Sequence, residues 1–259
     1  MWRGMALAAL GHPIEARAVI EETDAFLRGR GFKETLSWHP LIRLMVVGAA
    51  GADVGEAEVA FAREALVIAE AISGPGLQAW SQTGLAMACL GVSRFTESVE
   101  AAGHAITLIE TSGTYRHIEA LARTIRALAL TESSDLVGGM AEAERAIRCC
   151  LERDDRWHRA GSCAAFAIAA AAAATELDRA LEVLDDGERV VAETGARGFL
   201  PELLHARAHV HAAIGDHAAQ RAALQRGLEV AGANGAHGWE KRFGDALAGR
   251  TDPVGPPHI

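Results

Sequence analysis

One feature narrows the fold of this chain more than any other: it repeats itself at a step of about 40 residues. Aligning the segments around Ala25, Ala65, Ala105, Cys150, Gly187 and Gly227 gives successive differences of 40, 40, 45, 37 and 40. Two further markers keep the step. Gly11, Gly51 and Gly91 stand 40 apart, and the loop Gly195-x-x-Gly198-Phe199 recurs 40 residues later as Gly235-x-x-Gly238-Trp239. A random chain does not hold three markers in step. A period of this size is one supersecondary unit, which cannot bury its apolar faces alone and does so by stacking on its neighbours.

Each unit reads as two amphipathic helices around a turn. In the third, a first helix covers 77–90, Gly91 follows, and a second helix covers 94–110. Val99, Ala102, Ile106 and Ile109 recur there at spacings of three and four, which puts them on one face. Gly11, Gly91 and Gly215 are placed to end first helices, and Gly195 and Gly235 to end second helices, because glycine enters the left-handed region at low cost. The short connections make each pair antiparallel. The 45-residue step is assigned to a longer surface turn over 131–139. No β-branched or aromatic run alternates with period two, so sheet is not expected.

Within the third unit, Trp80-x-x-Thr83-Gly84-x-x-Met87 is followed by Gly91, Phe95 and Ser98. This resembles the tetratricopeptide pattern of Trp, Leu-Gly, Tyr, Gly and Ala. The stretch AETGARGFLPELLHARAHVHAAIGDHAAQRAALQRGLEVAGANGAHGWEKR, residues 192–242, resembles two longer-period versions. One is the repeat region of maltose-regulator-like, LuxR-type regulators. The other is the C-terminal repeats of bacterial class III adenylate/guanylate cyclases fused to an AAA-type ATPase module. The resemblance covers the whole chain as architecture and about 50 residues as detailed pattern. Neither a GxxxxGK[ST] loop, a cyclase domain nor a helix-turn-helix is present in the sequence, so no nucleotide or DNA chemistry carries over. The fold expected is all-α, a right-handed α-solenoid of about six antiparallel helix pairs over residues 1–250. A flexible Pro/Gly tail is expected at 251–259. The chain begins partway through a repeat and reads as the C-terminal repeat region of a bacterial signalling or regulatory protein.

Half of the residues are hydrophobic but only 5% are aromatic, and alanine supplies much of the difference. Small side chains suit helices that approach closely. The formal charge of −9 is spread over interleaved acids and bases, without the basic stripe a nucleic-acid partner needs. The apolar run at 164–174 falls short of a bilayer span, and the N-terminus lacks a signal-peptide pattern, so a cytoplasmic location with no membrane partner is expected. Cys89, Cys149, Cys150 and Cys163 form no CxxC motif and read as small core residues of a reducing compartment.

Candidate chemistry is sparse. His205 and His209 lie four apart on one helix, but the glutamate of an HExxH site is missing. Asp154-Asp155 and Asp185-Asp186 sit among arginines and read as helix-surface ion pairing. Gly161-Ser162-Cys163 lacks the second glycine of a nucleophile elbow. No catalytic residue, metal site or cofactor is therefore assigned. The repeat register instead aims Trp38, Gln78, Ser81, Glu202, His205 and His209 at a concave groove, while Trp80 and Trp239 hold packing positions. The function this supports is a non-catalytic scaffold whose groove holds a protein or peptide, with self-association a further option. The alternative is a sensor that takes a small molecule inside the superhelix. An enclosed apolar pocket with a few polar groups would favour the sensor, and an open groove the scaffold.

Overall fold

The computed structural model describes residues 1–72 and 74–250, setting aside the side chains of residues 33 and 34. The tail expected at 251–259 lies outside the described residues. Among the described residues thirteen α-helices follow one another: α1 (Trp2–Ala9), α2 (Pro13–Arg30), α3 (Lys33–Ala49), α4 (Glu56–Ile72), α5 (Pro75–Gly91), α6 (Phe95–Ser112), α7 (Glu119–Glu132), α8 (Leu136–Glu152), α9 (Arg156–Ala173), α10 (Leu177–Thr194), α11 (Leu200–Ile214), α12 (His217–Asn234) and α13 (His237–Leu247). Short 3-10 turns at Arg116–Ile118 and Arg197–Phe199 precede α7 and α11, and no strand occurs among the described residues. Each helix packs on the next. The chain is an all-helical array, as its periodicity requires.

The helices divide into two layers. Odd-numbered helices touch the next odd-numbered one from α1 through α11, whereas even-numbered helices pack chiefly on their neighbours in sequence. The odd set is therefore the inner, tightly curved layer. α9 shows what that position demands: every residue from Ser162 to Ala170 is buried. The alanine run there is helical core, because methyl groups let flanking helices close in on both sides.

The outer helices after α2 bury a triad at i, i+3 and i+7: Ala62, Ala65 and Ala69 in α4; Ala102, Ala105 and Ile109 in α6; Leu184, Gly187 and Val191 in α10; Leu224, Gly227 and Ala231 in α12. In α8 the triad is Ala143, Ala146 and Cys150, so Ala146 and not Cys150 is the equivalent of Ala105. Correcting that slip of one turn replaces steps of 45 and 37 by 41 and 41. The longer turn assigned to 131–139 is absent: α7 runs to Glu132 and α8 starts at Leu136. Ala25 is likewise out of register, being exposed while Ile20 and Leu27 are buried in α2. Gly91 does not end its helix in the left-handed region either; Ser93, at φ 60°, takes that role, and Gly91 is small because Val54 packs on it. The middle triad position is small for a related reason. A Cβ on Gly187 would sit 2.7 Å from Leu203 Cδ2 of the following inner helix.

The two ends of the array meet. Gly238 N–H donates to the Ala50 carbonyl at 3.1 Å, and Trp239 Nε1 donates to the Gly48 carbonyl at 3.2 Å, joining α13 to the end of α3. Beside this seam, the turn at Arg197–Phe199 contacts α1, and Ile14 of α2 reaches Gly235. The helical array closes on itself, and its inner layer surrounds an axis.

Candidate functional site

The axis is hollow. A narrow inner cavity of about 50 Å³ is lined only by inner-layer elements, α1, α3, α5, α7, α9, α11 and α13 with the turn at Arg197–Phe199. A wider chamber of about 430 Å³ adjoins it, and Met5, Met45, Leu121, Trp157 and His158 form walls of both. No side chain of the outer helices lines either space.

An aromatic stands at a comparable position in most inner elements. Trp38, Trp80, His117, Trp157, Phe199 and Trp239 succeed one another at intervals of 37 to 42 residues, and Trp2 precedes them in α1. Ring contacts link much of the series: Trp2 to Trp38 at 5.7 Å, Trp38 to Trp80 at 6.3 Å, Trp80 to His117 at 5.6 Å and Trp157 to Phe199 at 5.8 Å between centroids. The chain has five tryptophans and one tyrosine. Four of the tryptophans line the axial spaces; Trp38 packs behind Trp2, and Tyr115 packs on Trp80 and His117. A composition poor in aromatics thus concentrates its indoles on one site, where large rigid rings supply most contact area. Met5, Met45 and Met87 add adaptable thioethers.

Two polar atoms in this apolar wall have no hydrogen-bond partner among the described residues: Glu202 Oε1 and Trp157 Nε1. Both residues line the inner cavity. Glu202 is 6% exposed, and burial alone pushes its carboxyl up to about 8, so at neutral pH it carries its proton. Gly161 keeps the space beside it free; a Cβ there would meet only Glu202 Oε2, at 3.9 Å. Native proteins seldom leave buried polar atoms unpaired, since each costs about 1–3 kcal/mol.

The other polar groups at the site are spent on one another. Asp155 caps α9 by accepting from Trp157 N and His158 N, and its second oxygen lies 2.8 Å from His158 Nδ1. Burial pushes the Asp155 carboxyl up, but the hydrogen bonds from His158 outweigh it and hold the group below its ordinary range. At the chamber mouth Arg153 donates to Glu119 Oε2 at 2.6 Å and to the Arg116 carbonyl at 2.7 Å, which fixes the turn carrying His117. Arg123 continues the network, donating to Glu119 at 2.9 Å and Glu142 at 2.6 Å. Burial lowers the His117 pKa below its ordinary value, with His158 adding to the effect and Asp155 opposing it, and the ring lies against Trp80.

Of the residues singled out from sequence, Glu202 lines the inner cavity. Trp38 is half-buried and its carbonyl accepts from Trp80 Nε1 at 2.9 Å; Ser81 Oγ donates to the Ser37 carbonyl, so both fasten α5 to α3 behind the aromatic wall. Gln78 is half-buried on α5. His205 is buried, and its Nε2 lies 3.3 Å from His209 Nε2, in a cluster with Trp239 and Phe243. No group of three or more His, Cys, Asp or Glu among the described residues is arranged to hold a metal ion. No helix among them is long and apolar enough to cross a membrane. Sequence reasoning missed Trp2, Met5, Met45, Trp157 and His158; the recurrence of one aromatic per inner element was the signal that could have found Trp2 and Trp157. Neither a family model nor a curated protein matches this chain.

Proposed function

We propose that this chain is a non-catalytic sensor that binds a small, mainly apolar molecule in the aromatic chamber on the axis of its superhelix. The observation that carries the reading is the pair of unpartnered polar atoms, Glu202 Oε1 and Trp157 Nε1, in the wall of one apolar cavity. A mostly apolar enclosure with a few placed polar groups is what ligand pockets look like. The repeats are read as a right-handed, tetratricopeptide-like superhelix of about six pairs. A ligand spanning several inner helices would then fix its pitch, and that change is the signal passed on. The location is read as cytoplasmic, in keeping with four free thiols.

The test is a thermal-shift screen of apolar small molecules, read together with tryptophan fluorescence, since four of the five tryptophans line the two axial spaces. A binder at a hundred times its Kd should add about 2.7 kcal/mol of stability and change the emission. Gly161→Leu, which fills the space beside Glu202, should abolish both effects while leaving the helical circular dichroism intact. Hits that bind the filled variant equally well would sink the assignment to this chamber.

The scaffold reading retains one observation in its favour. Phe26 and Phe32 are 56% and 48% exposed and stack at 6.0 Å, with the Arg30 guanidinium over Phe26. Exposed aromatic pairs are common anchors for partners. A partner captured by the wild type and lost on Phe26→Ser with Phe32→Ser, but kept by Gly161→Leu, would support that second surface.

A further inference from the structure

We infer that the chamber takes an uncharged, flat aromatic molecule whose single polar head pairs with Trp157 Nε1 and the Glu202 carboxyl. This rests on the ligand-binding reading above and names the chemistry of the ligand.

The inner and outer spaces divide the ligand into a head and a body. The inner cavity, about 50 Å³, has room for a few non-hydrogen atoms. The outer chamber, about 430 Å³, is of the size that holds a drug-like ring system. Its walls include the indoles of Trp2, Trp80 and Trp157. Indole edges and faces favour offset or edge-on contact with another aromatic ring, worth about 0.5–1.5 kcal/mol per pair beyond the area buried. The body is therefore aromatic.

The head follows from the unpartnered atoms. An indole N–H only donates, so the head must carry an acceptor. A protonated carboxyl both donates and accepts, so a head with an acceptor and a donor, such as a primary amide, satisfies it at both oxygens. An ammonium head has donors alone and would leave the Trp157 N–H unpaired. A carboxylate head would bring a negative charge into a cavity that no Lys or Arg lines among the described residues, and His158, the basic side chain in its wall, is engaged with the Asp155 carboxylate at 2.8 Å. Burying a charge without a partner costs far more than burying an amide that is hydrogen-bonded. At the mouth, Arg153 is held by Glu119 and the Arg116 carbonyl and does not neutralise the inner end.

Four probes sharing one body separate the possibilities: naphthalene, 2-naphthamide, 2-naphthoate and 2-naphthylmethylammonium, titrated calorimetrically into the full chain at pH 7. The expected result is 2-naphthamide binding at least tenfold tighter than naphthalene, with both ions weaker than the amide. Trp157→Phe, which removes the N–H and keeps a ring, should cut that preference at least threefold. Glu202→Leu should cut it as far, whereas Glu202→Gln, which still donates and accepts, should preserve it. Equal affinity for naphthalene and the amide would overturn the inference and leave the ligand chamber standing. Tighter binding of either ion would overturn it in the same way. No binding by any of the four at their solubility limits would overturn the chamber reading itself.

Discussion

Glu202 and His39 are both buried without a hydrogen-bond partner among the described residues, yet they bias stability in opposite directions with pH. The Glu202 carboxyl is raised from 4.5 to about 8 by desolvation. Between those values the native chain holds a proton the unfolded chain has released, so stability falls as pH rises. Burial lowers His39 from 6.5 to about 4, a shift that the facing carboxylate of Asp24 opposes and the cations of Arg43 and Arg28 reinforce. There the unfolded chain binds the extra proton, and stability rises with pH until 6.5. The two slopes oppose each other from about pH 4.5 to 6.5, where the lowered His117 and His211 add to the rising side and the raised Glu132 to the falling side, and above 6.5 the Glu202 slope prevails. Urea unfolding of the wild type should therefore show no net loss of stability across the first window. It should then lose roughly 1.4 kcal/mol per pH unit from 6.5 to 8. Glu202→Gln should abolish the alkaline decline. His39→Leu should expose the Glu202 slope already at pH 5. A wild type whose stability climbs from pH 6.5 to 8 would show that Glu202 is ionised in the folded chain.

At the scale of single helices, caps separate one inner–outer turn from another. Asp135, Asp155 and Asp216 accept backbone N–H groups at the starts of α8, α9 and α12, while α10 begins at Glu176 with φ 50° and no side-chain cap. Ala174 ends α9 at φ 49°, a conformation that costs an L side chain about 1 kcal/mol and glycine little. Ala174→Gly should stabilise the chain by about 0.5–1 kcal/mol in chemical denaturation. Asp135→Ala should cost about 1 kcal/mol. Asp155→Ala should cost more, because Asp155 also holds His158 against the chamber wall. These elements were largely legible in the sequence, since a helix pair declares itself by spacing alone: the second helix read at 94–110 is α6, Phe95–Ser112. Register was less legible. Cys150 was matched to Ala105, but the residue at the middle of the buried α8 triad is Ala146, one turn earlier. The site was legible only at Glu202, whose inward direction follows from repeat position. Trp157 follows the turn-like run Asp154-Asp155-Arg156, and only its 40-residue step from His117 marked it. That it shares a cavity with Met5 and Glu202 depends on how far the array curves, a property of the summed packing angles and of no single repeat.

Closure of the whole array is what turns an inner layer of helices into a chamber, and it depends on backbones meeting without side chains between them. Gly51 and Gly238 face each other at the seam: a Cβ on Gly51 would sit 2.6 Å from Trp239 N, and one on Gly238 would overlap the Gly51 carbonyl. Neither glycine can be enlarged while Gly238 N–H and Trp239 Nε1 keep their bonds to the Ala50 and Gly48 carbonyls. Gly238→Val should thus part α13 from α3 while leaving the repeat-to-repeat packing of α3 through α12 in place. Overpacking of this kind costs about 1–3 kcal/mol, and the radius of gyration from small-angle scattering should rise. The consequence reaches Glu202. Trp239 lines the same inner cavity as Glu202, so moving it admits water to the carboxyl. Desolvation is the sole cause of the raised Glu202 pKa, and hydration should return the group toward its ordinary range. The open variant should lose the decline in stability between pH 6.5 and 8 although residue 202 is untouched. If Gly238→Val expands the molecule and the decline persists at full slope, the seam does not control solvent access to Glu202, and the chamber is sealed by the inner helices alone.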